Sequence, residues 1–86
     1  MGDVKEKLTA HGAGQDFRTA LSRVGMTQTE FCRFTQTSYN TAQSWAKGRT
    51  APSGAAMTVL AILDKSRHLA DACRANGWEP LWRKNP

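Results

Sequence analysis

Residues 25–53 read GMTQTEFCRFTQTSYNTAQSWAKGRTAPS, and the fold turns on how this stretch divides. Thr27-Gln-Thr-Glu30 has the form of a capping box, in which the Thr27 hydroxyl accepts from the Glu30 amide and the Glu30 carboxylate reaches back. It predicts a short helix ending near Phe34, with Phe31 and Phe34 facing in. Thr35-Gln36 breaks that helix, Thr37 and Ser38 offer the next N-cap, and a further helix is expected from about Tyr39 to Lys47, ended by Gly48. At about 100° per residue, Ala42 and Trp45 share its inward side. Asn40, Gln43, Ser44 and Lys47 then point out, with Tyr39 on the flank. Two helices joined by three or four residues meet at a steep angle and need a small side chain where they nearly touch. Cys32 fills that place as a compact apolar residue.

The flanks read the same way. In QDFRTALSRVG, residues 15–25, Phe17, Ala20, Leu21 and Val24 form one apolar stripe stopped by Gly25, with Arg18 and Arg23 off it. Pro52-Ser53 marks another start, and Ala56, Val59, Leu60 and Leu63 repeat the stripe. Nothing in the pattern stops this helix from running on to Ala75, but 23 residues is long for so small a domain. Ser66 offers a cap for a separate helix, Arg67 to Ala75, which Asn76-Gly77 stops. No stretch sustains the alternation of a strand. The expected fold is all-α, a compact bundle of about five short helices. Residues 1–14 read as a polar N-terminal arm, with room for a single turn around Val4–Leu8. Residues 15–65 form the central unit, and residues 66–86 a C-terminal helix and aromatic tail.

The chain has 86 residues, 40% of them hydrophobic, enough for one small domain with a modest core. Its net charge of +5 favours an anionic partner such as nucleic acid or an acidic protein surface. Cys32 and Cys73 lie in no CxxC or His-rich spacing, so both are expected to be reduced packing residues of a cytoplasmic protein. The N-terminal residues hold no apolar run of signal-peptide or membrane-span length, and Gly2 lacks a myristoylation context. Paired carboxylates, a nucleophile beside a base, a Gly-rich phosphate loop and a metal cluster are all missing from the sequence. We therefore expect no enzyme activity, no cofactor and no metal, with His11 and His68 facing solvent.

The outward face of the Tyr39–Lys47 helix has the chemistry of base recognition. Asn40 and Gln43 carry amides able to bond an adenine edge, Ser44 donates or accepts, and Tyr39 meets a thymine methyl or a phosphate. Free backbone amides at the helix starts Thr27 and Ser38 suit phosphate oxygens. Lys47 and Arg49 hold the backbone at the far end. The plain alternative for Asn40, Gln43 and Ser44 is a solvated helix face.

Residues 25–53 resemble the phage-repressor and Cro type (Xre-like) of helix-turn-helix DNA-binding domain. That family's pattern, G-L-S-Q-x-x-L-A-x-x-x-G-V-S-x-x-x-I-x-x-W-E-x-G-x-x-x-P-S, aligns without a gap. The matching points are Gly25, Met26, Thr27, Gln28, Phe31, Cys32, Ser38, Ala42, Trp45, Gly48, Pro52 and Ser53. The resemblance implies a lambda-repressor-like bundle in which Gln28 binds phosphate and braces the recognition helix. It further implies that Tyr39, Asn40 and Ser44 read bases and that Arg49 touches the DNA backbone. The stretch MTVLAILDKSRHL, residues 57–69, resembles the corresponding segment of antitoxin-type regulators that repress their own operons. The sequence departs from the pattern at Gln36, where the turn glycine stands, and at Thr37 and Ala46, while Ala42 keeps the apolar position of the pattern's Ile with a smaller side chain that thins the core. At Gln36 a non-glycine residue is expected to take positive φ, at a cost of about 1 kcal/mol.

The resemblance implies a double-stranded DNA operator with an inverted repeat, read by a homodimer that represses transcription. Trp78, Leu81 and Trp82 either fold back over the fourth helix as core or, with Leu69 and the last helix, form the subunit interface, which is the favoured expectation. Lys5 and Lys7 are expected to be a solvated arm or a minor-groove arm. The alternative reading is a protein-binding antitoxin or antirepressor that uses the same helices or the aromatic tail. RNA binding through the basic surface is a further rival.

Overall fold

The computed structural model describes residues 10–83, with side chains from Gly14 onward. The expected arm residues Lys5 and Lys7, the turn around Val4–Leu8 and the His11 side chain lie outside the described residues. Five helices follow one another: α1 (Ala10–Val24), α2 (Gln28–Thr35), α3 (Tyr39–Ala46), α4 (Gly54–Lys65) and α5 (Arg67–Ala75). The expected all-α bundle is thus the observed architecture, with no strand among the described residues. No helix among them is long and apolar enough to cross a membrane.

Each helix from α2 onward starts on a side-chain oxygen. Thr27 and Glu30 form the reciprocal box at 3.1 and 2.9 Å. Ser38 accepts from the Thr41 amide, Ser53 from that of Ala56 and Ser66 from that of Leu69. The helix ends are as local. Gly25 (φ 79°) closes α1 as Gly25 N donates to Ser22 O and Met26 N to Leu21 O, and Gly77 (φ 71°) closes α5 as Gly77 N donates to Arg74 O and Trp78 N to Cys73 O. Both are the paired hydrogen bonds that a left-handed residue permits. Gln36 ends α2 in the same left-handed conformation (φ 58°, ψ 38°), as expected, and its side-chain amide donates to Arg33 O at 2.8 Å.

The core is a meeting of rings. Phe17 of α1, Phe31 of α2 and Trp45 of α3 pack edge to face, with centroids 5.2 Å (Phe17–Phe31), 5.5 Å (Phe17–Trp45) and 6.3 Å (Phe31–Trp45) apart. Around them Leu21, Val24, Met26, Ala42, Leu60 and Leu63 are buried. Helix α1 packs against both α3 and α4, α2 against α3, and α4 against α5.

Two expectations are corrected. The first helix begins at Ala10, not Gln15, so the last residues of the expected polar arm are helical. Continuing the Phe17 stripe back by three residues reaches Gly14, which is buried against α3: a Cβ there would stand 2.7 Å from Trp45 O and 2.9 Å from Gly48 Cα. The second correction concerns Trp78, expected at a subunit interface. It is only 2% exposed, stacked edge-on against Phe34 at 5.4 Å with the Arg74 guanidinium over its ring. Leu69 is half-buried against the same core, so of the four expected interface residues Leu81 and Trp82 stay clearly exposed. The tail is part of the bundle because a core this small needs the indole. Arg33 Nη1 donates to Gly77 O and Arg74 Nη2 to Val24 O, which tie α5 and the following turn to α1 and α2.

Gly14 and Gln36 make opposite predictions for urea unfolding. Gly14→Ala, stabilising in an exposed helix, should here lower stability by about 1–3 kcal/mol, because backbone meets backbone. Gln36→Gly should raise it by about 0.5–1 kcal/mol by removing Cβ strain. A Gly14→Ala protein as stable as the parent would show that the close approach is not real.

Candidate nucleic-acid interface

Helix α3 is eight residues long, too short to persist alone in water, so its position is set by what it touches. Ala42, Trp45 and Ala46 are buried and fix the inward side. At its C-terminal end the Arg18 guanidinium donates to Ala46 O and also to Gln15 Oε1 at 3.3 Å. A cation on a terminal carbonyl satisfies an orphan acceptor and suits the negative end of the helix dipole. Gly14 and Arg18, one turn apart on α1, therefore seat the end of α3 by shape and by charge. Sequence reasoning missed both. The signal for Gly14 was the backward extension of the Phe17 stripe, whereas nothing local marks Arg18.

The outward side separates into free and braced residues. Tyr39 is 52% exposed, Asn40 is exposed, and neither side chain has a hydrogen-bond partner among the described residues. Gln43 is half-buried and accepts from Gln28 Nε2 at 2.9 Å, so the side chain at the start of α2 braces the middle of α3. That bond uses the Gln43 oxygen and leaves its two N–H donors for another acceptor. Ser44, also half-buried, shares a 3.0 Å hydroxyl bond with Thr50. Arg49 N donates to Ser44 O at 2.9 Å, which folds the turn after Gly48 (φ 76°) back on α3 and holds Arg49 beside it. The expected residues Tyr39, Asn40, Gln43, Ser44, Lys47 and Arg49 are thus gathered on α3 and the turn that follows it. Thr41 and Thr50, both exposed on the same segment, were not singled out from sequence.

At the helix starts, Thr27 and Ser38 are exposed, each with its hydroxyl engaged by its own cap. Ser38 also donates to Thr41 Oγ1 at 2.8 Å, and Cys32 Sγ lies 3.9 Å from Ser38 O, in the near contact between α2 and α3 expected of a small residue. Burial raises the Cys32 and Cys73 thiols above the ordinary cysteine range, which disfavours the reactive thiolate.

The charge pattern along this segment is one-sided. Between Glu30 and Asp64 the sequence has no carboxylate, while Arg33, Lys47 and Arg49 are all cationic. The ion pairs of the described residues lie elsewhere, at Arg23–Asp64, Arg74–Asp71 and Arg83–Glu79. No protein-family model, curated protein or solved structure matches the chain.

A double-mutant cycle tests the brace. Gln28→Ala and Gln43→Ala should each lower stability by about 0.5–1.5 kcal/mol in chemical denaturation. Together they should fall short of additivity by about 0.5–1 kcal/mol. Strict additivity would mean that the two amides do not hold each other in solution.

Proposed function

We propose that this protein is a sequence-reading DNA-binding regulator, a dimeric repressor that places α3 in the major groove of each half of an inverted repeat. The observation that carries the reading is the outward side of α3. Tyr39 and Asn40 are bare polar residues on a rigidly seated helix, flanked by Lys47 and Arg49 in a stretch free of carboxylates. A major groove admits one helix, and an exposed Asn is suited to the donor–acceptor pair of an adenine edge. Gln43 and Ser44, each held by one internal bond, present their remaining hydrogen-bonding capacity to bases from fixed positions. Backbone amides in the first turns of α2 and α3, with Lys47 and Arg49, contact phosphates and set the register. The spacing of residues 25–53, with α2 and α3 joined by Gln36, Thr37 and Ser38, supports a helix-turn-helix of the phage-repressor and Cro type.

On this reading a two-fold dimer sets its two α3 helices about 34 Å apart on one side of the duplex. Bound there, the protein excludes polymerase from an overlapping promoter and acts in the cytoplasm. The exposed Leu81 and Trp82 favour one rival, an antitoxin or antirepressor that grips another protein with its tail. Binding to a partner protein, with no duplex selected, that survives Asn40→Ala but is lost on removal of residues 79–86 would establish that rival.

The deciding experiment is selection from random duplexes at about 150 mM salt, followed by sequencing. An inverted repeat with half-sites about one helical turn apart is expected. Asn40→Ala should then lose about 1–3 kcal/mol of discrimination at one base pair. Arg49→Ala should weaken all duplexes alike and reduce the salt slope by about 1. Enrichment of no sequence would overturn the reading.

A further inference from the structure

The surface carries an apolar feature that the outward side of α3 leaves unused. Ile62, Leu81 and Trp82 are 50%, 65% and 70% exposed. They border a trough along one side of α4. Its larger part is a hollow of about 360 Å³ whose lining includes Thr37, Ser53, Ala55 and Trp82. Its narrower end, about 190 Å³, lies between Ile62 and Leu69. Phe34, Val59 and Leu81 line both ends, which makes them one continuous surface.

We infer that a second copy of this chain covers the trough, through a two-fold packing of α4 against its counterpart. Three features select this occupant. The first is area. The exposed parts of Ile62, Leu81 and Trp82 amount to on the order of 400 Å² of apolar surface per copy, a patch of the size that marks an interaction site. Doubled, and with a polar rim, it reaches the roughly 1,200 Å² at the low end of specific interfaces.

The second feature is self-complementarity. Small Ala55 and bulky Ile62 lie seven residues apart on α4, about 10 Å along its axis, with Val59 near the midpoint. A two-fold axis passing by Val59 sets Ile62 of each copy over the hollow beside Ala55 of the other, with Trp82 along the flank. One patch meeting itself in this way is what a closed dimer requires. The third feature is charge. No residue lining the trough is charged, so two copies of a +5 chain meet there without desolvating an ion.

The inference rests on the proposed operator reading for its use, since it supplies the second α3. Because Thr37 lines the trough and Ser38 caps α3, the dimer face begins two residues before the recognition helix.

Sedimentation equilibrium at about 50 µM tests it. The parent should show twice the 9.5 kDa chain mass. Ile62→Glu and Trp82→Glu should each sediment as monomers with helical circular dichroism intact and dimerisation weakened at least about tenfold. Ala55→Glu is a control for folding, because a carboxylate in the first turn of a helix is stabilising. It too should give monomers. A parent that stays monomeric at about 100 µM, or a dimer indifferent to all three changes, would overturn the inference. Duplex binding separates this result from the DNA reading. The three variants should bind a single selected half-site as the parent does and bind the full repeat at least about tenfold more weakly. If no duplex is selected while the masses behave as expected, the dimer face stands and the DNA reading fails. If a half-site is selected by a parent that remains monomeric, the base contacts stand and this dimer face fails.

Discussion

Phe17, Phe31 and Trp45 come from three different helices and meet edge to face. The orientation of α3 depends on that meeting. Edge-to-face pairs favour a particular relative placement of rings, worth about 0.5–1.5 kcal/mol each beyond the burial itself. In a domain with so few large side chains this preference does the work of a larger core. Trp45 faces inward because two phenyl rings receive it, and the polar residues of α3 face outward as a result. Arg18 and Gly14 act on the same helix from α1, one by a hydrogen bond to Ala46 and the other by having no side chain. The outward surface of α3 is therefore held largely by residues that never reach it.

The second constraint is local. Helices of eight or nine residues are marginal in isolation, and each of the four after α1 begins on a Thr or Ser oxygen that satisfies an amide otherwise left bare. Such caps contribute about 1 kcal/mol apiece. No buried side-chain nitrogen or oxygen among the described residues is left without a partner. Packing orients the helices, and the caps decide where each begins.

This division explains what could be read in the sequence. Thr27 with Glu30, Ser38, Ser53 and Ser66 were legible because a cap involves residues three apart. The left-handed Gln36 was legible through the resemblance alone, which places a turn glycine at that position. That Gln28 braces α3 was foreseen through a resemblance, but its partner Gln43 was not, since the bond spans two helices and lies beyond the reach of periodicity. The bond between Ser44 and Thr50, and Arg18 on Ala46, depend on how the chain folds back and left no local trace. The tail shows the limit most clearly. Trp78 and Trp82 lie four residues apart in similar surroundings, yet the first is core and the second surface. What separates them is the left-handed turn at Gly77 and Trp78 (φ 71° and 57°), which folds Trp78 under Phe34 and sends Trp82 out.

The seat of Gly14 also bears on how the domain can be handled. Polarity and glycine content suggest cutting the chain at Gln15 to obtain a minimal fragment. That cut would remove the first turn of α1 and with it the surface on which Trp45 O and Gly48 rest. Arg18 would then lie near a fraying terminus, and its hold on Ala46 would weaken with the helix that presents it. A fragment that keeps its α3 in place has to retain the helical turn from Ala10 to Gly14. The boundary of the working unit is set by a residue with no side chain, in a stretch whose composition marks it as dispensable.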